Sequence, residues 1–312
     1  MNDIELIKAL EQVNTEYLIL KNEKTPEFIL GRRILNFKKS FPFHLLRWII
    51  QFLKNKKVNR KSESVSVRVK EEELFYASPL EVEGSKGVVY SCITAGYDAP
   101  YEPIYKSDRL DYILYTDKQY SDKNSKWKIR GLGNICVDER NNRINRYYKM
   151  HPFELFENNY DYSIYIDGNV QTVSDIASLY AIAKESKLGI AMHRHATRSC
   201  AYKDALWCKY NNRGNQKALS KQLQDYHVEG FPEEYGLCEA TIIVVDLHNQ
   251  TAKLLLNKWW DEFCRSDSGR DQISLPYILW KEGYYIEDIG CLGNDEYRNP
   301  KFRIYAHRGK NY

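Results

Sequence analysis

The sequence predicts an α/β protein: a mostly parallel central sheet flanked by helices, with a helical N-terminal extension. From about residue 86 onward, short apolar runs rich in β-branched residues alternate with segments of helical periodicity, which favours strand–helix–strand units. The 312 residues suffice for one large domain with an appendage. Hydrophobic residues make up 43% and charged residues 28%, a composition typical of a globular chain. We expect an extension over residues 1–85 and the main domain over residues 86–312.

The N-terminal extension contains two helical patterns. Apolar residues recur at helical spacing over residues 4–20, and residues 41–58 read FPFHLLRWIIQFLKNKKV. The second pattern combines aromatic and aliphatic bulk with a basic end, which suits a helix lying on a membrane surface or on a partner protein. The alternative is a helix that packs on the main domain and leaves its basic end in solvent. We predict that Phe41 to Lys57 docks on an anionic membrane surface or on a membrane-bound partner.

The elements of the main domain follow from the periodicity of its apolar residues. Short β-type runs predict strands, and apolar residues at helical spacing predict helices. The predicted strands cover residues 87–94, 110–115, 135–137, 162–166, 188–192 and 240–245, and the predicted helices cover residues 141–157, 173–185, 213–227, 251–264 and 271–281.

The strand that ends before Asp167 is the most informative feature of the chain. Apolar and polar side chains alternate from Tyr162 to Ile166, and Asp167-Gly168-Asn169 follows. Open α/β sheets bind ligands beyond the carboxyl ends of their strands. Carboxylate and amide oxygens suit Mg²⁺ or Mn²⁺, which often bind through one or two carboxylates plus substrate phosphates. These residues therefore predict a divalent-cation site, although Asp-Gly-Asn also suits an ordinary turn.

Two further segments fit a nucleotide site. The loops that end the first two strands would lie beside a base and ribose, and Arg143, Arg146 and Lys149 share one helix face where they could bind a diphosphate. A solvated basic face is the alternative for these cations. The residues predicted to bind the donor are Thr94, Ala95, Gly96, Tyr97, Asp117, Arg143, Arg146, Lys149, Asp167, Gly168, Asn169 and His193.

The C-terminal part supplies candidates for acid–base chemistry. Glu239 precedes a strand, Asp271 and Gln272 open a helix, and His307 lies near the end of the chain. We predict Asp271, Glu239 and Gln272 as catalytic residues and His307 as a third metal ligand beside Asp167 and Asn169. An acid at a helix start also serves as a cap, and His307 could be a surface residue.

Other classes of function are excluded or disfavoured. The chain has no GxSxG and no GxxxxGK[ST] motif, so serine-hydrolase and P-loop readings fail. His193 and His195 share a strand face, but no third and fourth zinc ligand is evident. A net charge of +4 does not argue for nucleic acid. The seven cysteines form no CxxC pair, and the N-terminus has no signal-peptide pattern, so we expect a cytoplasmic protein at the inner face of the membrane.

From about Lys86 to Arg308 the chain resembles the glycosyltransferase-like family long labelled domain of unknown function 616, found in bacterial surface-polysaccharide loci and in plants. The matching segments are GVVYSCITAGYD, Arg146-Tyr-Tyr-Lys149, YSIYIDGN, GIAMHRH, the segment at Glu239 and RDQISLPYILW. This family is similar to GT-A glycosyltransferases, whose DxD motif corresponds to Asp167-Gly168-Asn169. The resemblance also relates Asp271-Gln272 to the acid-plus-Gln pair of some retaining GT-A enzymes. Asn169 replaces the second Asp of the motif, which puts metal dependence in question.

The resemblance implies a nucleotide-sugar donor, a UDP-sugar, and a saccharide or lipid-linked glycan acceptor in capsule or O-antigen assembly. A cation on Asp167, with Arg146 and Lys149, would stabilise the departing diphosphate. In an inverting enzyme Asp271 or Glu239 would deprotonate the acceptor; in a retaining enzyme the same groups would hold the sugar. Two alternatives are a catalytically inactive sugar-binding or scaffold protein and a metal-dependent hydrolase.

Overall fold

The computed structural model describes residue 7, residues 11–15, residue 18, and residues 84–119, 124–133 and 140–307. Contacts divide the chain into one compact unit of residues 1–14 and 69–312 and a second of residues 15–68. The helix predicted over residues 41–58 lies outside the described residues, and the domain boundary predicted at residue 85 stays a prediction. None of the helices in the described ranges has the length and apolar character that a bilayer crossing requires.

The strands of the described residues form two sheets. A seven-stranded sheet has the order β3-β2-β1-β4-β7-β6-β8, and β5 pairs with β9 in a small second sheet. In the large sheet β7 runs antiparallel to β4 and β6, and the other neighbours are parallel, so the predicted mostly parallel sheet is confirmed. The strands are β1 (Gly87–Ile93), β2 (Leu110–Thr116), β3 (Lys128–Gly131), β4 (Tyr162–Ile166), β5 (Val170–Thr172), β6 (Ile190–Arg194), β7 (Cys238–Asp246), β8 (Gly290–Cys291) and β9 (Phe302–Ile304).

Both faces of the large sheet are buried. Every residue of β1 and β4 is buried, and neighbouring residues along each strand enter opposite core clusters. Tyr165 packs in one cluster with Trp259, whereas Ile164 packs in the other with Tyr180. Parallel strands that are buried on both faces have nearly continuous apolar sequences, and this pattern made β1 and β4 recognisable in the sequence.

Helices cover the two faces. They are α1 (Asn141–Met150), α2 (Pro152–Phe156), α3 (Leu179–Glu185), α4 (Ala201–Tyr210), α5 (Gln216–Val228), α6 (Gln250–Ser266) and α7 (Asp271–Lys281). The sequence predicted one helix over residues 141–157, but it breaks at His151 because Pro152 disfavours helical backbone in the residue before it. The helix predicted from residue 173 begins at Leu179, because the chain is still extended at Val173, whose N–H donates to Lys301.

The third strand also differs from the prediction. It lies at Lys128–Gly131, where all four residues are exposed, and pairs with β2 at the edge of the sheet. An exposed edge strand has no buried face to impose an apolar pattern, which is why the sequence did not reveal it. The segment predicted instead, residues 135–137, lies outside the described residues.

The first described residues pack against the last strand. Asn14 Nδ2 donates to the backbone oxygens of Pro300 (2.7 Å) and Phe302 (3.0 Å). Glu11 accepts from the buried ammonium of Lys301 and from the hydroxyl of Ser174. These contacts fix β9, which leads directly into the residues that lie over the candidate site.

The candidate functional residues lie along one edge of the large sheet. The carboxyl ends of β1, β2, β4 and β6 meet there, together with the amino end of the antiparallel β7. Asp167, Glu239 and the loop after β1 therefore come from distant segments of the chain to one rim, as expected for ligand sites of open α/β sheets.

Candidate active site

Asp167 directly follows β4 at the centre of this edge. Its backbone N–H donates to the Thr241 oxygen (2.9 Å), which fixes the turn against β7. Its Oδ1 accepts from the Tyr165 hydroxyl (2.8 Å) and lies 3.3 Å from the Lys149 ammonium. Tyr165 is two residues before Asp167, so the alternation of the strand places both side chains on one face. The carboxylate is held in a defined orientation with a cation beside it.

Arg146 and Lys149 extend from α1 towards the same place and meet Asp271. Asp271 Oδ2 lies 3.2 Å from Arg146 Nε and 3.2 Å from Lys149 Nζ. Burial alone would raise the pKa of Asp271, but Arg146, Lys149 and Arg270 outweigh it and hold that pKa well below its ordinary value. Asp271 is 3% exposed. Because its carboxylate is buried, ionised and shared between two cations, it is a weak base, and the geometry favours another residue as proton acceptor.

Arg143 takes a different direction from the other two cations of α1. Its Nη2 donates to Asp267 Oδ1 (2.9 Å) and to the Cys264 oxygen (3.1 Å) at the end of α6. Arg140 also donates to Asp267. The predicted diphosphate cluster thus divides into Arg146 and Lys149 at the sheet edge and Arg143 at the neighbouring helix end.

The loop after β1 is anchored by Asp117. The Ala95 N–H donates to both carboxylate oxygens of Asp117, at 3.0 and 2.9 Å. Ala95 (φ 54°) and Gly96 (φ 63°) are both left-handed, a conformation that costs Ala more than Gly. Thr94 Oγ1 donates to the Asn141 oxygen (3.3 Å), and Tyr97 is 48% exposed. The loop is a rigid turn that presents Tyr97 to solvent.

A cavity of about 620 Å³ opens beside Asp117, within the range of small-molecule sites. It lies at the carboxyl ends of β2 and β3, where the sequence predicted a base and ribose. Its lining residues are Thr116, Asp117, Lys118, Gln119, Ile129, Gly131 and Leu132.

Gly168 and Asn169 are packed tightly against the first loop and the last strand. A Cβ on Gly168 would lie 2.8 Å from the Ile93 side chain, so only glycine fits there without a shift. Asn169 Nδ2 donates to the Tyr305 oxygen (2.6 Å), and its buried Oδ1 has no hydrogen-bond partner in the described structure. A buried amide oxygen without a partner is an unsatisfied acceptor, which a bound cation could satisfy.

His307 closes the site from the C-terminal side. Its Nδ1 lies 2.8 Å from Asp98 Oδ2, and this hydrogen bond raises the pKa of His307. The charge of Asp167 acts in the same direction, and a Cβ on Gly168 would lie 3.2 Å from Asp98 Cβ, so Asp98 is next to the turn after β4. The Tyr97 ring lies 5.1 Å from the imidazole. His307, Asp98 and Tyr97 thus form one wall beside Asp167.

The residues present fit a divalent cation that takes only a few of its ligands from the protein. Asp167 offers a carboxylate, and Asn169 Oδ1 is the unpartnered oxygen two residues away. Such a pair plus substrate phosphates is a usual Mg²⁺ arrangement. No group of three or more His, Cys, Asp or Glu side chains in the described ranges could hold a metal ion by itself. A cation here would depend on oxygens from the donor.

Glu239 lies at the start of β7, opposite His193 of β6. Its Oε1 lies 3.2 Å from His195 Nε2. His195 Nδ1 accepts from the backbone N–H groups of Thr197 (3.2 Å) and Arg198 (3.1 Å), which assigns the ring proton to Nε2. Burial, aided by the charge of Asp204, raises the pKa of Glu239 to about 7. Among the predicted catalytic residues, Glu239 has the properties of a general base at neutral pH.

His193 and Gln272 lie at the margins of the site. The His193 ring is fully buried, and its Nε2 lies 2.9 Å from Asn299 Nδ2. Burial, with Arg194 nearby, lowers the pKa of His193 to about 3. The ring therefore does not face the cleft, in contrast to the donor contact that the sequence predicted. Gln272 is half-buried in the first turn of α7, next to Asp271.

Sequence reasoning missed Glu296. It lies in a short 3-10 helix, Glu296–Arg298, and is 4% exposed. Burial and the charge of Glu239 raise the pKa of Glu296 to about 8. Its segment reads Gly-Asn-Asp-Glu-Tyr-Arg, which looks like a polar surface turn, so no pattern in the sequence indicated a buried carboxyl.

Comparison with known proteins adds one family match. The sequence profile of the TOD1/MUCI70 glycosyltransferase-like domain matches residues 52–287. No curated protein sequence matches the chain. Similar solved structures include the apo WbbM bifunctional glycosyltransferase, with a TM-score of 0.44 and 14% identity over 73% of this chain and 47% of that chain. Mouse xyloside xylosyltransferase 1 in its apo form gives a TM-score of 0.37 and 8% identity over 64% of this chain and 83% of that chain. The chain spans about half the length of WbbM.

Proposed function

Because this chain belongs to the TOD1/MUCI70 glycosyltransferase-like family, we propose that it transfers a sugar from a UDP-sugar to a saccharide or lipid-linked glycan. We further propose that this reaction serves surface-polysaccharide assembly, of capsule or O-antigen type. The observation that supports this proposal most strongly is the group of Asp167, Arg146 and Lys149 at the carboxyl edge of the sheet.

Charge development on the leaving group explains why these residues suit glycosyl transfer. When the bond between the anomeric carbon and the diphosphate oxygen breaks, negative charge accumulates on the nucleoside diphosphate. The Arg146 side chain is 23% exposed and can contact that diphosphate, whereas the Lys149 side chain is 1% exposed and acts from beneath, beside Asp167. Cations fixed in a water-poor site stabilise such charge without reorganising during the reaction.

Asp167 and Asn169 would hold Mn²⁺ or Mg²⁺ in this proposal. The ion would supply Lewis-acid stabilisation of the diphosphate oxygens. Lys149 Nζ is 3.3 Å from Asp167 Oδ1, so the turn already has one fixed positive charge. We therefore expect the metal to strengthen donor binding rather than to be its sole determinant, in keeping with an Asn where the usual motif has a second Asp. His307 would contribute from the wall that it forms with Asp98.

We propose that the donor's nucleoside binds in the cavity beside Asp117. That cavity lies at the ends of β2 and β3, one loop away from Asp167. A nucleoside in it would direct its diphosphate towards Arg146, and the exposed Tyr97 ring would cover the sugar. Lining groups such as Gln119 offer amide donors and acceptors to a base.

Glu239 is the group that we propose to accept the proton of the acceptor hydroxyl, in an inverting reaction. Its pKa is raised to about 7, whereas Asp271 is ionised and contacts Arg146 and Lys149. The acceptor would enter on the β6–β7 side of the cleft. We also propose, from the sequence pattern alone, that residues 41–57 bind the cytoplasmic face of the membrane, where a lipid-linked acceptor would lie.

A panel of nucleotide sugars, with and without Mn²⁺, tests the proposal. We expect one UDP-sugar to bind by calorimetry and to yield nucleoside diphosphate plus a glycosylated acceptor by mass spectrometry. Asp167→Ala and Glu239→Gln should each abolish transfer, while the remote Glu157→Gln, which removes a surface partner of Lys253, should retain it. Binding without turnover across the panel would instead indicate a sugar-binding protein. Release of free sugar regardless of acceptor would indicate a hydrolase.

A further inference from the structure

The solvent-facing side of α4 carries three large apolar side chains. Leu206, Trp207 and Tyr210 follow the spacing of three and four residues that places side chains on one helix face. Their exposed fractions are 60%, 36% and 90%. The buried face of the same helix holds a charge, Asp204, whose Oδ1 accepts from Arg198 Nε (2.7 Å). A surface helix of a globular domain normally has the reverse arrangement, with its apolar residues inward and its charged residues outward.

Positive charge borders this apolar face. Residues 205–220 include no Asp or Glu but three exposed cations, Lys209, Arg213 and Lys217. The Arg213 guanidinium lies 5.0 Å from the centre of the Trp207 ring, so this charge is directly beside the apolar residues. Lys203, at the start of the face, is paired with Glu234. The surface therefore combines exposed hydrocarbon with an excess of cations, and a matching partner offers hydrocarbon and anions together.

A series of contacts connects this face with the side of the cleft where we place the acceptor. Glu239 Oε1 lies 3.2 Å from His195 Nε2, and His195 Nδ1 accepts from the Arg198 N–H (3.1 Å). The Arg198 guanidinium in turn lies 4.6 Å from the centre of the Trp207 ring. A partner bound to the apolar face would therefore lie next to the acceptor side of the cleft.

Three other partners match these residues less well. Two guanidiniums already lie over the Trp207 ring, and the Leu206 side chain has no hydrogen-bonding group, so an acidic glycan would find little ring surface to stack on. A second copy related by a twofold axis would bring the same cations against each other. Residues 41–57 are themselves apolar and basic, so their charge has the same sign. A bilayer with anionic headgroups complements both the hydrocarbon and the charge.

We propose that the α4 face formed by Leu206, Trp207 and Tyr210 is a membrane-docking surface, distinct from residues 41–57, that binds bilayers with anionic headgroups. Leu206 and Tyr210 enter the boundary between headgroups and acyl chains, and Lys209 and Arg213 contact headgroup phosphates. Tyr and Trp favour this boundary because each side chain has an apolar body and a polar end.

Docking through α4 has a consequence for the acceptor. It holds the Glu239 side of the cleft at the membrane surface, which selects a lipid-linked glycan over a free saccharide as acceptor. This consequence rests on the proposed glycosyl transfer, whereas the docking itself does not.

Sedimentation of the whole protein with vesicles measures the docking. We expect binding to vesicles of mixed phosphatidylglycerol and phosphatidylcholine that weakens with salt, and much weaker binding to phosphatidylcholine alone. The double variant Leu206→Gln/Tyr210→Ser removes two highly exposed apolar groups and should bind at least about tenfold more weakly. The matched control Val228→Gln/Leu254→Gln changes apolar residues of α5 and α6 that are 77% and 54% exposed, and it should bind as the wild type does.

Two results of this experiment overturn the inference. Equal binding by the wild type and the Leu206→Gln/Tyr210→Ser variant would assign vesicle binding to another part of the chain, such as residues 41–57. Absence of vesicle binding by the wild type would exclude docking altogether. If soluble alginate then bound to the wild type and not to the double variant, the α4 face would be a site for an acidic glycan instead.

Fluorescence quenching locates the contact. Lipids brominated on the acyl chain quench tryptophans that reach the boundary of the bilayer. We expect mixed vesicles containing such lipid to quench the wild type, and Trp207→Phe to lose part of that quenching. Trp48→Phe is the comparison variant, because Trp48 lies within residues 41–57 and reports on that segment. If Trp207→Phe is quenched to the same extent as the wild type, α4 does not touch the bilayer and the inference is overturned.

These vesicle experiments use no nucleotide sugar, so they are independent of the donor panel. If the wild type transfers no sugar but docks through α4, the proposed function fails and the docking surface stands. If the wild type transfers sugar but the α4 variants bind vesicles normally, the docking surface fails and the proposed function stands.

Discussion

Replacing Asp271 by Asn tests whether the buried ion network stabilises the fold. Its carboxylate contacts Arg146 at 3.2 and 3.3 Å and Lys149 at 3.2 Å; the Asp271 and Lys149 side chains are almost fully buried, and the Arg146 side chain is 23% exposed. Asn keeps the shape and one acceptor oxygen but removes the charge. Lys149 retains Asp167 at 3.3 Å, whereas Arg146 loses its carboxylate partner.

The magnitude follows from burial. Removing one partner of a buried ion pair costs about 3–5 kcal/mol, because the other charge stays buried without compensation. With a urea slope of about 3 kcal/mol per M, that loss moves the unfolding midpoint down by about 1–1.7 M. Asp267→Asn is the matched control. Asp267 also contacts two arginines, Arg140 and Arg143, but its side chain is 44% exposed, so we expect a loss of about 1 kcal/mol or less. Asn also tolerates the left-handed backbone at that position (φ 51°).

The pH dependence provides a second check on the same variant. Because the folded protein lowers the pKa of Asp271, its stabilising contribution is present above the unfolded pKa of about 3.9 and decreases as the pH falls below it. The difference between wild type and Asp271→Asn should therefore be constant near neutrality and shrink in acid. Urea unfolding followed by circular dichroism at several pH values measures it. A midpoint shift at pH 7 no larger than that of Asp267→Asn would refute the reasoning.

Asp167→Ala should abolish transfer, measured by mass spectrometry of the products, while leaving the urea midpoint near that of the wild type. Asn169→Asp should retain transfer and tighten Mn²⁺ binding, measured by calorimetry. An active Asp167→Ala would contradict the site. Gly168→Ala should weaken donor binding and cost about 1–3 kcal/mol of stability, because the new Cβ would lie 2.8 Å from Ile93. The Asp98 hydrogen bond raises the pKa of His307 in the folded protein, so this pair should stabilise the fold below about pH 6.5. The stabilisation should be lost as the pH rises through the raised pKa. The difference in unfolding free energy between wild type and His307→Gln, followed from acid to alkaline pH, tests this direction.

The strands and helices that could be predicted from the sequence are those with a face buried in the core, because burial requires apolar residues at regular positions. The predictions for β1, β2 and β4 agree with the structure to within one residue, and α7 begins and ends where the sequence placed it. The misses have local causes. Lys128–Gly131 has no buried face, Pro152 divides a periodic segment, and pairing of β5 with β9 keeps Val173 extended.

The position of the site was easier to predict than the contacts between the residues that form it. Asp167 was identified because it follows an apolar strand, a relation that is local in sequence. The ion pairs of Asp271 join residues more than 120 positions apart, and nothing in the local pattern links them. Glu296 is a further case, since its carboxyl is bonded to the Thr241 side chain of β7, which is distant in sequence.

The contacts between Asn14 and β9 have a consequence for how the protein is made. Asn14 and its partners Pro300 and Phe302 are separated by 286 and 288 positions, so the early segment leaves the ribosome long before its partners exist. At about 5–20 residues per second, that interval lasts about 15–60 s. Until it ends, Asn169 lacks Tyr305 and Asp98 lacks His307, so the site cannot be completed during synthesis. A nascent chain stalled before residue 300 should therefore expose its sheet edge to chaperones and remain inactive.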